Sequence, residues 1–280
     1  MRNIIEVDGI EQRYHVHGTG PVLVAHSGGP GIGWEYLRMP LVEQHHTVVY
    51  VEPIGTGESG RLPDPADYVR ATYVRFLHAI VEHLGAPRVT VLGHSHGGFV
   101  ALEYALTHPD RVEGLILHDT SPVTGAEFWQ QAVENMTNFV RDNEGKPGVD
   151  AIMPAFTANH AELSDPEITE VIRTILPAYF ADYWGREAEF APMRAQARAW
   201  SASSQGQEPA PFDVRPRLGE IAVPTLVAVG VHDFICGPTW GRMLAGGIPG
   251  ATYAEFANSG HMPHIEEPQD FDAMIRKVLA

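Results

Sequence analysis

The chain has 280 residues, a length that favours one domain with an insertion over two complete domains. Apolar residues make up 44% and charged residues 19% of it, a globular composition that can bury a large core. A formal net charge of −16 argues against nucleic acid and against an anionic membrane surface as partners, because both need clustered Lys and Arg.

The sequence contains few indications of the cellular compartment. Cys236 is the only cysteine, so no intramolecular disulfide can form and the fold does not depend on an oxidising compartment. The opening "MRNIIEVDGIEQRYHVHG" mixes charges among its apolar positions and lacks the apolar core of a signal peptide. We therefore expect a cytoplasmic protein that does not associate with membranes.

The first predicted element is an antiparallel hairpin, since β-like runs at 4–7 and 13–16 flank the turn pair Asp8-Gly9. Continuous apolar runs then follow at 21–25, 46–51, 89–93, 114–118 and 224–230. Because these runs do not alternate with polar residues, they are typical of strands buried on both faces.

Helical patterns lie between the runs, over 71–84, over 97–107 and from Pro268 to the end. Strands that alternate with helices indicate right-handed βαβ crossovers and a mostly parallel sheet, which is an α/β fold. Residues 122–215 contain no strand-like run and show helical patterns instead. We therefore predict one α/β domain, formed by 1–121 and 216–280, with a helical insertion.

A candidate nucleophile lies in Gly93-His94-Ser95-His96-Gly97. This segment fits G-x-S-x-G and stands directly after an apolar strand and before a helix. A tight strand-to-helix turn tolerates only small neighbours and presents the Ser95 hydroxyl at the carboxyl edge of the sheet. The competing interpretation is a serine that only caps the helix.

A serine nucleophile needs a base, and the base needs an orienting group. Asp233 follows the run at 224–230, and His261 lies in a glycine-containing loop before the last helix. The order Ser95, Asp233, His261 is the one used by folds with this type of serine turn. Asp119 remains an alternative to Asp233, and His264 remains an alternative to His261.

An oxyanion-binding site is predicted from the turn "HSGGPG", where bare backbone amides follow a strand. We expect the N–H groups of Gly29 and His96 to form it. The turn lacks the G-x-G-x-x-G and P-loop patterns of phosphate sites. The His94-x-His96 and His261-x-x-His264 pairs have no carboxylate cluster at ligand spacing, so we expect no metal, and no cofactor is implied.

The chain resembles the α/β-hydrolases, and among them the proline iminopeptidases and tricorn-associated aminopeptidases. The resemblance rests on "HSGGPG", "VVYVEPIGTGESG" and "FDVRPRLGEIAVPTLVAVGVHD", which are similar to the family's oxyanion loop, its D-x-x-G-x-G-x-S segment and its approach to the acid. It implies a Ser95, Asp233, His261 triad, an oxyanion hole of Gly29 and His96, and a cap formed by 122–215.

The sequence departs from those aminopeptidases at residues that read the substrate. His96 stands where they have Trp or Tyr, and Val231 stands where a glutamate that binds the free amine is common. Glu208 lies near the place of a second such glutamate. Trp34, Trp184 and Tyr179 are candidates for lining the acyl pocket.

These observations predict a serine hydrolase, similar to a proline iminopeptidase, that cleaves a small-molecule or short-peptide amide or ester through an acyl-enzyme. A carboxylesterase or lactonase and a carbon–carbon bond hydrolase are the alternatives. A non-catalytic binding protein on the same fold is a further alternative, because a fold does not guarantee its chemistry.

Overall fold

The computed structural model of the protein describes residues 3–160 and 162–279. The strands of its sheet are β1 (Ile4–Val7), β2 (Ile10–His17), β3 (Val22–His26), β4 (Thr47–Glu52), β5 (Val89–His94), β6 (Val112–His118), β7 (Thr225–Gly230) and β8 (Thr252–Phe256). They form one sheet in the order β1-β2-β4-β3-β5-β6-β7-β8.

The sheet is mostly parallel, as predicted. β1 pairs antiparallel with β2 and β2 antiparallel with β4, whereas the remaining pairs are parallel. The predicted hairpin turn is also present, because Asp8 and Gly9 have φ values of 52° and 79°, the left-handed pair that a two-residue turn of this kind needs. β8 was missed, since "TYAEF" is a half-buried edge strand without an apolar run.

The α-helices are α1 (Arg70–Leu84), α2 (His96–Thr107), α3 (Ala126–Asp142), α4 (Ile152–Thr157), α5 (Asp165–Ile175), α6 (Glu187–Gln196), α7 (Pro238–Gly247), α8 (Pro263–Glu266) and α9 (Pro268–Val278). Helices α3 to α6 lie between β6 and β7, within the segment predicted as an insertion. No helix among the described residues combines the length and the hydropathy that crossing a membrane requires.

Two apolar layers cover the sheet. Val91 of β5 faces a core shared with Ile80 of α1 and Leu102 of α2. The next residue, Leu92, faces the opposite core, with Phe271 of α9. Burial of both faces explains why the central strands are continuously apolar.

The parallel strands place their carboxyl ends side by side. His94 of β5 is in register with His118 of β6, and His118 is in register with Ala228 of β7. The loops that follow these strands therefore start at one edge of the sheet, the usual position of ligand sites in α/β folds.

Candidate active site

Ser95 occupies a strained turn between β5 and α2. Its φ and ψ are 54° and −121°, in the left-handed half of the map that non-glycine residues rarely adopt. The Ser95 N–H donates to the carbonyl of His118 (3.0 Å), and the Thr120 hydroxyl donates to the carbonyl of Ser95 (2.8 Å). The neighbouring strand and its loop therefore hold the strained residue from both sides.

Glycines make room for this turn. A Cβ on Gly93 would collide with the carbonyl of Gly97, and a Cβ on Gly97 would collide with the carbonyls of His26 and Ser27. A Cβ on Gly28 would come within 3.0 Å of the Ser95 Cβ, so the loop after β3 passes close to the serine. The small residues of the motif are thus required by close backbone contacts.

His261 and Asp233 form a direct pair. The His261 Nδ1–H donates to Asp233 Oδ2 (2.7 Å), and the backbone N–H groups of Ile235 (2.9 Å) and Cys236 (3.1 Å) donate to Asp233 Oδ1. Both side chains are buried. Because Nδ1 carries the proton, His261 Nε2 is left as the acceptor, which is the form a general base needs.

His264 and Asp119, the alternatives to His261 and Asp233, have other hydrogen-bond partners. His264 uses both ring nitrogens, since its Nε2–H donates to the carbonyl of Tyr36 (3.0 Å) and its Nδ1 lies 2.8 Å from His118 Nε2. Burial lowers the pKa of His264 to about 4. Asp119 accepts from the N–H of Gly230 (2.8 Å) through Oδ1. The structure therefore brings Asp233 to His261, with Asp119 beside them.

His94 connects the serine turn to the histidine loop. Its Nε2–H donates to the carbonyl of His261 (2.8 Å), and burial beside His261 and His264 holds its pKa well below the usual range. The neutral ring must then accept at Nδ1, so the Tyr36 hydroxyl donates to it (2.6 Å) while accepting from the N–H of Gly28 (2.7 Å).

Sequence reasoning assigned no role to His94, His118 or Tyr36. A usable signal was present for the histidines, because the apolar runs of β5 and β6 both end in a histidine at the same edge of the sheet. The tyrosine had no such signal, because it contributes through a contact 58 residues away in the chain.

The predicted oxyanion donors lie on two neighbouring segments. Gly29 has a φ of 127°, and His96 is the first residue of α2, where a backbone N–H has no acceptor within the helix. The His96 ring lies 5.1 Å from that of Tyr73 and 6.5 Å from that of His26. Burial lowers the pKa of His96 to about 3 and that of His26 to about 4, so both rings are neutral at neutral pH.

The three aromatic candidates lie in different places. The Tyr179 ring is 5.3 Å from the His261 ring, and the Tyr179 carbonyl accepts from the His261 N–H (2.7 Å). Trp184 stacks on Phe139 of α3 at 5.8 Å, inside the helical segment. Trp34 stacks on His15 of β2 at 4.0 Å. Of the three, Tyr179 is the one that contacts the paired histidine.

The Glu208 carboxylate is bound by Arg70. It accepts from the Arg70 backbone N–H (2.6 Å) and lies 3.0 Å from Arg70 Nη1, while Arg70 Nε also contacts Glu103 (3.2 Å). The guanidinium lies over the Phe212 ring at 4.9 Å. A substrate ammonium would therefore have to compete with Arg70 for Glu208. Val231, the other position where a glutamate that binds the amine was expected by resemblance, is 41% exposed.

A cleft of about 520 Å³ opens between α3 and the loop after β7. Asn135, Asn138, Val231, Asp233 and Phe234 are among the residues of its wall. Ser95 and His261 are not among the lining residues, so the cleft reaches the loop of the acid and not the nucleophile.

Two groups of possible metal ligands occur among the described residues: His94, His118 and Asp119, and Asp119, Asp233 and His261. The spacing of these residues in the sequence did not predict that the Asp119 carboxylate lies near the histidines. Both ring nitrogens of His94 already take part in hydrogen bonds, and His261 Nδ1 donates to Asp233. An ion would have to break these bonds, so the residues present do not fit a preformed metal site.

Comparison with known proteins identifies the fold. Residues 21–268 match the family model described as "alpha/beta hydrolase fold". A proline iminopeptidase of Lactobacillus crispatus is 27% identical, covering 97% of this chain and 95% of that protein. An esterase structure from Thermogutta terrifontis has a TM-score of 0.72 and 25% identity, covering 99% of this chain and 96% of that one.

An enol-lactonase structure from Burkholderia xenovorans has a TM-score of 0.74 and 24% identity, with 99% of both chains covered. At 24% identity, the similarity to this structure shows a shared fold. Together these matches confirm the resemblance found in the sequence.

Proposed function

The chain belongs to the α/β-hydrolase fold family, and from that premise we propose that it is a serine hydrolase that cleaves a small amide or ester through an acyl-enzyme. The observation that carries this proposal is the Asp233–His261 pair on the sheet edge where Ser95 stands in a strained turn. Orienter, base and nucleophile in this relation are the requirements of nucleophilic acyl transfer.

In the proposed mechanism, His261 Nε2 takes the hydroxyl proton of Ser95 as its Oγ attacks the substrate carbonyl. Asp233 keeps the proton on His261 Nδ1 and stabilises the imidazolium that forms. His261 then protonates the leaving group, and water attacks the acyl-enzyme with the same histidine as base.

The tetrahedral oxyanion is stabilised by the N–H groups of Gly29 and His96. The His96 amide is supported by its position at the start of α2, where the helix dipole favours negative charge. Loss of one such donor raises a barrier by about 3 kcal/mol in enzymes of this kind. The helical segment 122–215 would act as the cap, since its residue Tyr179 packs on His261.

The first substrate class we propose is the N-terminal prolyl amide or short peptide. It is supported by the proline iminopeptidase of L. crispatus, to which this chain is similar over nearly its full length. A free substrate amine would then be held by a carboxylate of the helical segment.

A second substrate class, an ester or lactone with an uncharged acyl group, is favoured by a specific contact. Arg70 already neutralises Glu208, and Val231 offers no charge to an ammonium. The similarity to the T. terrifontis esterase is in line with this candidate.

A matched substrate panel tests the choice: prolyl and alanyl arylamides with free amines, the same amides N-blocked, and short-chain aryl esters and lactones. A preference for free-amine prolyl amides supports the first class. Hydrolysis of esters that is indifferent to the amine supports the second. Carbon–carbon bond substrates are added as a third arm, because a carbon–carbon bond hydrolase is one of the alternatives that the sequence left open and one fold can carry several chemistries.

The variant Ser95→Ala is the control for every arm. Its turnover should fall by roughly six powers of ten, as for loss of a triad nucleophile. Covalent labelling of Ser95 by an activated phosphonate should occur in the wild type only. Turnover at the wild-type rate in Ser95→Ala would exclude the proposed mechanism.

A further inference from the structure

The Tyr36 hydroxyl lies between the loop after β3 and the serine turn. It accepts from the N–H of Gly28 (2.7 Å), the residue before Gly29 in that loop. It donates to Nδ1 of His94 (2.6 Å), the residue before Ser95. The proposed mechanism assigns no task to this hydroxyl, although both of its partners are direct neighbours of groups that the mechanism uses.

His94 extends this chain of hydrogen bonds to the loop of the base. A carbonyl can only accept, so the 2.8 Å contact between His94 Nε2 and the His261 carbonyl places a hydrogen on Nε2. His94 is neutral, because burial lowers its pKa well below the usual range, and it therefore accepts at Nδ1 from the Tyr36 hydroxyl. Each of the three bonds thus has one donor and one acceptor, and together they join the loops of the oxyanion site and the base.

The loop after β3 needs such an anchor because its own sequence is flexible. Gly28, Gly29 and Gly31 carry no Cβ, and the last two have φ values of 127° and 82°. Beyond Gly29, the carbonyl of Gly31 accepts from the N–H of Trp200 (2.8 Å). Gly29 therefore lies between one point held by Tyr36 and another held by Trp200.

Little space remains around Gly28. A Cβ on it would come within 3.0 Å of the Ser95 Cβ, 3.1 Å of the Tyr36 hydroxyl and 3.2 Å of His94 Nδ1. The hydroxyl thus lies where it sets the distance between the loop after β3 and the serine turn. That distance matters in acyl transfer, because an oxyanion donor must meet the oxygen where charge develops, and a displacement of about 1 Å can cost about 100-fold in rate.

We propose that Tyr36 is a positioning residue that fixes the Gly29 N–H relative to Ser95 and to the His261 loop, through its hydrogen bonds to Gly28 and His94. This inference rests on the proposed function, because it takes Ser95 as the nucleophile and Gly29 as an oxyanion donor. Tyr36 takes up no proton in the reaction, and its effect comes from where it holds the loop.

The variant Tyr36→Phe tests this role. It keeps the ring and the backbone carbonyl that accepts from His264, and it removes the hydroxyl. Because an oxyanion forms in acylation and again in deacylation, a displaced donor slows both steps. We expect kcat and kcat/KM to fall together by about tenfold or more, with KM changed by less than about twofold. An unchanged kcat, with or without a raised KM, would overturn the proposal.

Tyr50→Phe is the matched control. The Tyr50 hydroxyl likewise accepts from a backbone N–H, that of Met39 (2.8 Å), and donates to a side chain, at Glu43 Oε1 (2.8 Å). Both variants should lose a comparable free energy of unfolding, but turnover should fall in Tyr36→Phe alone. Equal losses of turnover in the two variants would show a general effect on the fold and would contradict a positioning role.

Amide hydrogen exchange followed by NMR needs no turnover, so it separates this inference from the proposed function. In Tyr36→Phe the N–H of Gly28 loses its acceptor, and its exchange should become about tenfold faster or more, whereas Tyr50→Phe should leave it at the wild-type rate. Unchanged exchange at Gly28 would contradict the anchor itself. A wild-type protein that hydrolyses no member of the substrate panel would overturn the proposed function, and with it the catalytic part of this inference.

Discussion

At the scale of single residues, the chemistry is decided by which polar groups are already paired. Asp233 is directed at His261 by two backbone N–H groups and by the imidazole itself. Glu208 is directed at Arg70 and is thereby less available to a substrate. Cys236 is a buried thiol whose pKa is raised by burial and by Asp233, so it stays protonated and unreactive.

The first prediction concerns the acid. Asp233→Asn should lower kcat/KM by roughly 10⁴-fold, because an amide at this place favours the wrong tautomer of His261. Steady-state kinetics on the best substrate of the panel measures it, with Asp213→Asn, on the surface, as the control. Full activity in Asp233→Asn together with inactivity of Asp119→Asn would transfer the orienting role to Asp119.

At the scale of elements, the nucleophile turn depends on contact between backbones. Gly93 and Gly97 let β5, α2 and the loop after β3 approach without a Cβ between them. This packing is what keeps Ser95 in its strained conformation.

The second prediction follows from that packing. Gly97→Ala should reduce the free energy of unfolding by about 1–3 kcal/mol or more, since the added Cβ meets the carbonyls of His26 and Ser27. Urea unfolding gives the value. Gly219→Ala is the matched control, because a Cβ there meets nothing within 4 Å. Equal stabilities of the two variants would mean that the turn is more adaptable than described.

A third prediction concerns the junction between the helical segment and the histidine loop. Glu266 accepts from the N–H of Ala181 (2.9 Å) and from that of Gly260 (2.7 Å). These bonds favour the carboxylate, but burial outweighs them and raises the pKa of Glu266 to about 7. Because the folded state then binds more protons than the unfolded state, the contribution of Glu266 to stability falls as pH rises from about 4.5 to about 7.

Glu266→Gln should remove this fall, which unfolding free energies measured at several pH values between 4 and 8 will show. The exposed Glu113→Gln is the control and should retain it. A wild-type stability curve that is equally steep in Glu266→Gln would assign the effect to another group.

At the scale of the whole molecule, the net charge of −16 is the dominant feature. Excess charge of one sign destabilises a compact state by self-repulsion, and salt screens that repulsion. The negative net charge also lowers the local concentration of anionic substrates near the surface.

The fourth prediction is therefore that raising NaCl from about 10 mM to about 200 mM increases the urea midpoint of unfolding, since the Debye length shortens from roughly 30 Å to below 10 Å. A midpoint that decreases over this range would mean that surface ion pairs such as Arg215–Asp213 outweigh the net repulsion.

The sequence alone determined the α/β class, the opening hairpin, the parallel central strands and the serine turn as a candidate nucleophile. Each of these follows from local patterns: continuous apolar runs, a turn pair and glycines around Ser95. The sequence did not predict β8, because this edge strand is only half buried and carries no apolar run.

Only the tertiary structure decided which polar groups pair. It joined Asp233 to His261 across 28 residues, Glu208 to Arg70 across 138 and His118 to His264 across 146. Sequence patterns left Asp119 and Asp233 as alternatives, because both follow strands that end at the same edge. The choice between them depends on hydrogen-bond geometry within a few ångströms, which parallel strand order brings about and which no local pattern encodes.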